Sequence, residues 1–263
     1  FEEKVHEIRR IHPDLNQIQA AAEKLKLSKQ PIIISGGGVL YSEAEKELSD
    51  FAKKHNIPVT PTVMGLGCMT KDDPYYIGAI GCLGVGSSNS LSKDTDLALA
   101  IGTKLGDFTT GSWSNFHNED FKLVSINTAR FDVTKHRATP VISDAKIGLQ
   151  ELSKALGDWK APVAWYERAV KERTEWDAYV EKQSGPTNQE LPSYAHAVGA
   201  VYRNADPSDI VVTAAGGLVG EVVQIWKPKE LNTFETEWGF SCMGYEISGA
   251  LGIKMANPDK EVI

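Results

Sequence analysis

Pro31-Ile32-Ile33-Ile34-Ser35, followed at once by Gly36-Gly37-Gly38, sets the fold class. Three consecutive isoleucines leave no polar alternation, so the strand they form must be covered on both faces. The glycines then turn the chain sharply. A strand buried on both faces belongs to a parallel sheet flanked by helices. The neighbouring residues repeat the pattern. Upstream, residues 16–27 place Ile18, Ala21, Ala22 and Leu25 at helical spacing. Downstream, Ser42 can cap a helix through Ala52, with Glu45 three residues on as its capping-box partner. Asn56-Ile57-Pro58-Val59-Thr60 reads as the next strand. Residues 96–101 and 121–126 read as two more, Val141-Ile142 as a short fifth, and residues 145–156 as an amphipathic helix. Between them, residues 65–86 carry Gly65, Gly67, Gly78, Gly81, Gly84 and Gly86, and read as loop. The alternation predicts an α/β fold built on a doubly wound parallel sheet.

The composition shifts further on. Residues 161–183 are charged and helical, with Trp165, Ala169, Glu172 and Trp176 at turn spacing. Ser184-Gly185-Pro186-Thr187-Asn188 breaks that helix. A second α/β unit follows: a helix over 193–202, a strand over 209–213, the turn Ala214-Ala215-Gly216-Gly217, a helix over 218–226 and a short strand at Phe234. The expectation is two doubly wound parallel-sheet units. Residues 1–14 are a linker, 15–157 a Rossmann-like domain, 158–187 a linker helix and loop, and 188–263 the second domain. The last six residues, from Pro258 to Ile263, look like a turn and the first residues of a strand, so the chain reads as a piece of a longer protein.

The chain has 263 residues, 41% of them apolar and 24% charged, enough to bury a core without a disulfide or metal. Its net charge of −7 comes with no Lys/Arg cluster, which argues against nucleic-acid or anionic-membrane partners. No apolar run is long enough to span a bilayer. Cys68, Cys82 and Cys242 form no CxxC pair and are odd in number, which points to a reducing, cytoplasmic setting.

Several motifs invite chemistry and fall short. Gly36 and Gly38 start a dinucleotide fingerprint, but Tyr41 occupies the third position, so a structural turn is the better reading. Gly102-Thr103-Lys104-Leu105-Gly106-Asp107 follows a strand without the Walker order, and suits binding and interdomain packing equally. The histidines show no metal-ligand spacing and read as surface or capping residues. Cys242 has nothing beside it in sequence to lower its pKa and reads as a small buried residue. The stretch from Trp238 to Ala256 is the most informative. Gly239, Gly244, Gly249 and Gly252, with Ser241, Ser248, Ala250 and Ala256, give an unusually small-sided entry into a helix whose first N–H groups are free. Close helix packing and ligand binding both fit it.

Phe240-Ser241-Cys242-Met243-Gly244-Tyr245-Glu246-Ile247, with Gly249-Ala250-Leu251-Gly252 and Asn257-Pro258-Asp259, resembles the cofactor domain of thiamine-diphosphate enzymes. Asp107-Phe108-Thr109-Thr110-Gly111-Ser112 and Ser125-Ile126-Asn127 resemble their middle domain. Ala214-Ala215-Gly216-Gly217-Leu218 with Trp226 resembles the start of the cofactor domain. Glu3-Lys4-Val5-His6 with Ile8-Arg9-Arg10 resembles the linker ahead of the middle domain. Within the family, the similarity is to members that hydrolyse the ring of a cyclic 1,2-diketone in inositol breakdown.

The resemblance implies a division of labour. The glutamate that activates the cofactor's aminopyrimidine would precede Phe1, and the GDG motif that holds Mg²⁺ and the diphosphate would follow Ile263, so no catalytic residue and no metal ligand is expected within the chain. The cofactor-binding residues implied here are Gly216, Gly217 and Leu218 near the diphosphate, and Ser241, Cys242, Met243, Gly244 and Tyr245 around the aminopyrimidine. Met243 would prop the V-shaped cofactor, the Ser241 carbonyl would accept from its amino group, and the Met243 N–H would serve a ring nitrogen. The resemblance also implies a homo-oligomer, dimer or tetramer, and a chain that is inactive alone. Some relatives hold a flavin in the middle domain; the failed fingerprint weighs against one here. Two alternatives stand: a decarboxylase or acetohydroxyacid-synthase-like sibling with the same cofactor, and a non-catalytic nucleotide-binding module, which would have no use for residues 240–251.

Overall fold

The computed structural model describes residues 7–263. Of the linker stretch named above, Glu3-Lys4-Val5-His6 lie outside the described residues and Ile8-Arg9-Arg10 within them. The first unit runs α1 (Leu15–Leu27), β1 (Pro31–Ser35), α2 (Gly37–Tyr41), α3 (Glu45–His55), β2 (Val59–Pro61), α4 (Gly86–Asp94), β3 (Leu97–Ile101), α5 (Asp107–Thr110), β4 (Lys122–Asn127), α6 (Arg130–Val133), β5 (Thr139–Ile142) and α7 (Ala145–Leu156). Its five strands are all parallel, in the order β2-β1-β3-β4-β5. This is a doubly wound sheet whose order reverses between β1 and β3.

The isoleucine run does what its lack of alternation requires. Ile33, with Leu99 and Val124 beside it, faces the core formed with α1, α3 and α7. Ile32 and Ile34, with Ala98 and Ala100, face the opposite core, where Leu91 of α4 lies. That second face is closed by α8 (Val163–Ser184), the charged helix. Its Trp165 and Ala169 are buried there, and the Trp165 indole N–H donates to the Pro31 carbonyl at 2.8 Å. The N-terminal segment is strapped across the sheet's edge: the Arg10 guanidinium meets the buried Asp144 carboxylate at 3.0 Å, and Asp144 N–H donates to the Ile11 carbonyl.

One element differs from the sequence expectation. Ser42 does not cap the helix that follows; it closes α2, and α3 starts at Glu45 behind Ala44, without a side-chain cap. The reason lies in the glycines. Gly36 N–H donates to the Ile101 carbonyl and Gly38 N–H to that of Gly102, so the turn is pinned to the end of β3 and winds directly into a helical turn. A Cβ on Gly38 would sit 2.6 Å from the Gly102 Cα. These glycines let two backbones touch, and their N–H groups are already engaged.

The second unit comprises α9 (Tyr194–Asn204), β6 (Val211–Thr213), α10 (Leu218–Ile225), β7 (Phe234–Thr236) and α11 (Tyr245–Ala256). β6 and β7 form a separate two-stranded parallel sheet. Val262 makes a parallel bridge to Ile210, and the Val212 N–H donates to the Ile263 carbonyl, so the end of the chain adds to β6 as strand. Val198, Val219, Val222, Trp226 and Phe234 form a core with Val63, Leu66 and Ala79 of the first unit and Val180 of α8. Among the described residues, no helix is long and apolar enough to cross a membrane.

The histidines are not confined to the surface and caps. His196 does complete a capping box with Ser193 at the start of α9. His55, however, is fully buried, with its ring nitrogens 2.7 Å from the Trp159 carbonyl and 3.0 Å from the Ser153 hydroxyl.

Candidate functional site

β6 and β7 run parallel with Thr213 opposite Thr236, so the chain leaves both strands at the same edge of the sheet. Loops at the carboxyl ends of parallel strands are where α/β folds hold ligands. β6 passes through Ala214, Ala215, Gly216 and Gly217 into α10; β7 passes through residues 237–244 into α11. Gly216 has φ +94° and Gly244 φ +93°, a left-handed backbone that side chains avoid. A Cβ on either would meet nothing within 4 Å, so backbone conformation, not crowding, requires glycine, and the ground before both is open.

Three glutamates shape this ground. Glu246, in the first turn of α11, accepts from the Ala215 N–H at 3.3 Å with Oε1 and from the Gly244 N–H at 2.9 Å with Oε2. Glu237 accepts from the Phe240 N–H at 3.0 Å and the Cys242 N–H at 2.7 Å. The Tyr245 hydroxyl donates to Glu235 at 3.1 Å. The Cys242 and Phe240 N–H groups hold the Glu237 carboxyl below the usual carboxylate range. Glu246 is held low by its own N–H and then by that of Ala215.

The residues implied by the resemblance come together. Gly216, Gly217 and Leu218 are exposed on one side of the Glu246 carboxylate; Ser241, Cys242, Met243 and Gly244 are exposed on the other, with Tyr245 half-buried. Among the described residues, neither the Met243 N–H nor the Ser241 carbonyl has a hydrogen-bond partner, although the N–H groups of Cys242 and Gly244 on either side of Met243 are both engaged. The Met243 side chain is 87% exposed.

Cys242 departs from expectation. It is exposed, not buried. The Glu237 charge pushes its thiol pKa up, so it stays protonated and is a poor nucleophile. The Gly102 loop packs across to the second unit: the Phe108 ring of α5 meets Trp238 edge-on, with centroids 5.3 Å apart. No group of three or more His, Cys, Asp or Glu side chains able to hold a metal occurs among the described residues.

Sequence reasoning passed over Glu237 and Glu246, the groups that organise the loop. Glu246 carried one readable signal, an acid in the first turn of a helix, where the N–H groups and the macrodipole favour it.

The family described as thiamine pyrophosphate enzyme, central domain, matches residues 18–152, and that described as thiamine pyrophosphate enzyme, C-terminal TPP binding domain, matches residues 214–263. The chain belongs to the thiamine pyrophosphate enzyme family. Thiamine pyrophosphate and thiamine diphosphate are one compound, so the β6–α10 and β7–α11 loops lie within this family's cofactor-binding module. Among curated relatives, proteins named 3D-(3,5/4)-trihydroxycyclohexane-1,2-dione hydrolase are 35% identical in Geobacillus thermodenitrificans, 36% in Clostridium tetani and 34% in Bacillus anthracis. Each match covers 100% of this chain. The chain spans 44% of the length of these relatives.

Proposed function

We propose that this chain is part of a thiamine-diphosphate-dependent hydrolase that cleaves a ring C–C bond of trihydroxycyclohexane-1,2-dione, giving a deoxyglucuronate in the degradation of myo-inositol. The observation that carries the reading is identity of 34–36% along the whole chain, through both family modules in order, to relatives bearing that name. We assign residues 15–157 to the middle domain, 158–187 to a linker and 188–263 to part of the cofactor domain.

The residues present fit the aminopyrimidine end of the cofactor. An unpartnered donor at Met243 and an unpartnered acceptor at Ser241 lie two residues apart, and the N–H groups on either side of Met243 are engaged. A ring nitrogen beside an exocyclic amine needs such a pair. When bound, the cofactor would supply a thiazolium whose deprotonated ring carbon is the nucleophile and whose ring is the electron sink for C–C cleavage. The Ser241 carbonyl accepts a hydrogen bond from the amine and orients it. The Met243 N–H fixes the ring's register, and the Met243 side chain holds the bend. Gly216 and Gly217 leave room for the diphosphate at the start of α10, where free N–H groups favour an anion. Mg²⁺ belongs to the proposal, and its ligands and the activating glutamate are expected from parts of the enzyme outside this chain.

Phe240, Met243, Ile247, Leu251 and Met255 are all exposed, and the last three follow one stripe along α11. Bare apolar surface of this kind supports a homo-oligomer. The three free thiols support a reducing, cytoplasmic setting.

The test is the full-length enzyme with thiamine diphosphate, Mg²⁺ and the cyclic dione, followed by NMR for the ring-opened acid. Turnover of pyruvate with no ring opening would replace the proposal by a sibling lyase. Failure to bind the cofactor would remove the enzymatic reading.

A further inference from the structure

We infer that Glu246 is a positioning residue: its carboxylate ties the β6–α10 turn to the entry of α11 and so sets the span between the two parts of the cofactor site. The inference rests on the cofactor reading above. Two segments must act on one ligand, and they come from places about thirty residues apart, as the 31-residue separation of Ala215 and Glu246 shows. The β6–β7 pairing fixes where the two strands end, and a link beyond it fixes how their loops sit against each other. The described residues supply one through a single side chain, with one oxygen on the Ala215 N–H at 3.3 Å and the other on the Gly244 N–H at 2.9 Å.

The surroundings make that link consequential. α11 has no buried residue, so core packing does little to hold its start. Gly216 and Gly244 have open space around them, so neither turn is wedged in place by neighbours. The second carboxylate, Glu237, accepts only from Phe240 and Cys242, within its own loop, and leaves the β6 turn untouched. Glu246 is therefore the group whose loss lets the two segments drift while each keeps its local shape. A carboxylate receives both bonds because it offers two oxygens and a full charge to the donors at the helix start. A glutamine offers one oxygen, and its amide nitrogen repels the second N–H.

The test uses the full-length enzyme as wild type, Glu246→Gln and Glu246→Ala. Amide hydrogen exchange is read over residues 214–218 and 240–246 without cofactor, and thiamine diphosphate with Mg²⁺ is titrated by calorimetry. Exchange in both segments should quicken in Glu246→Ala, while α9 and the five-stranded sheet keep their protection. Cofactor affinity should fall at least tenfold in Glu246→Ala, and kcat should stay low when cofactor is saturating. Glu246→Gln should fall between the two, with one segment protected. Unchanged exchange and affinity in Glu246→Ala would overturn the inference. So would tighter binding, which would mean that the carboxylate competes with the diphosphate for the same N–H groups. A wild-type enzyme that binds no thiamine diphosphate overturns the functional reading and the cofactor role of Glu246 with it; the exchange data then report separately whether the tie exists.

Discussion

Replacing Met243 by alanine separates a cofactor prop from a packing residue. The side chain is 87% exposed, on the loop just before a helix with no buried residue. Trimming it should change folding stability by no more than about 0.5 kcal/mol, the range of surface substitutions. That corresponds to a melting shift of roughly 1–2 °C for a chain of this size. A buried methionine cut to alanine would instead lose about 2–5 kcal/mol. The catalytic effect has another origin. A ligand held bent stores about 1–5 kcal/mol of strain, and that strain matters at the reactive step. Releasing about 2 kcal/mol lowers kcat roughly 30-fold. The relaxed cofactor loses contact with one side chain and gains conformational freedom, so its affinity should change only a few-fold. The assay is kcat for ring opening at saturating thiamine diphosphate in the full-length enzyme, beside calorimetric Kd and Tm. Wild-type turnover in Met243→Ala would refute the prop, and a Tm drop of several degrees would show that the side chain packs in the folded enzyme.

Three further outcomes are expected. This chain by itself should show no tight, metal-dependent uptake of thiamine diphosphate in calorimetry, because the described residues offer no metal cluster and a few backbone bonds do not offset the ordering of a flexible, charged ligand. Gly38→Ala should cost about 1–3 kcal/mol, read as a lower urea midpoint at unchanged slope, since the added Cβ would lie 2.6 Å from the Gly102 Cα; an unshifted midpoint would mean that the turn yields easily. His55 should make stability fall on acidification. Burial pushes its pKa below the usual imidazole value, so the fold favours the neutral ring and the unfolded chain takes the proton first. The contribution is complete above the unfolded pKa of about 6.5 and is lost as pH falls from there towards the lower folded value. Urea midpoints at about pH 7.5 and 5.5 should converge more in His55→Gln than in wild type, and equal pH dependence in both would exclude the residue.

Much of the first unit was legible because its information is one-dimensional. Ile32, Ile33 and Ile34 can be satisfied only by apolar cover on two sides, and the order of strands and helices along the chain provides it. The start of α3 was not legible, for a reason outside its own sequence. Ser42 and Glu45 have the spacing of a capping box, but the glycine turn before them is bonded to Ile101 and Gly102, and that contact carries the chain through a helical turn that ends at Ser42. A cap motif reports what a free segment would do, and a backbone contact across some sixty residues outweighs it here.

The candidate site shows the same limit in another form. The positions around Met243 could be picked out because small residues and a family-like order mark them along the chain. What holds them could not, since a glutamate bonded to two backbone N–H groups leaves no periodicity and no spacing rule. Glu246 looks like an ordinary first-turn acid, and only in three dimensions does its second oxygen reach Ala215. The misreading of Cys242 has the same source: the small residues around it suggested burial, but Glu237 binds the Cys242 N–H within the loop and the thiol is exposed beside that carboxylate. Backbone-directed carboxylates thus shape this loop through three of its N–H groups. Glu237 and Glu246 engage the N–H groups of Phe240, Cys242 and Gly244, while the Met243 N–H and the Ser241 carbonyl between them have no partner among the described residues.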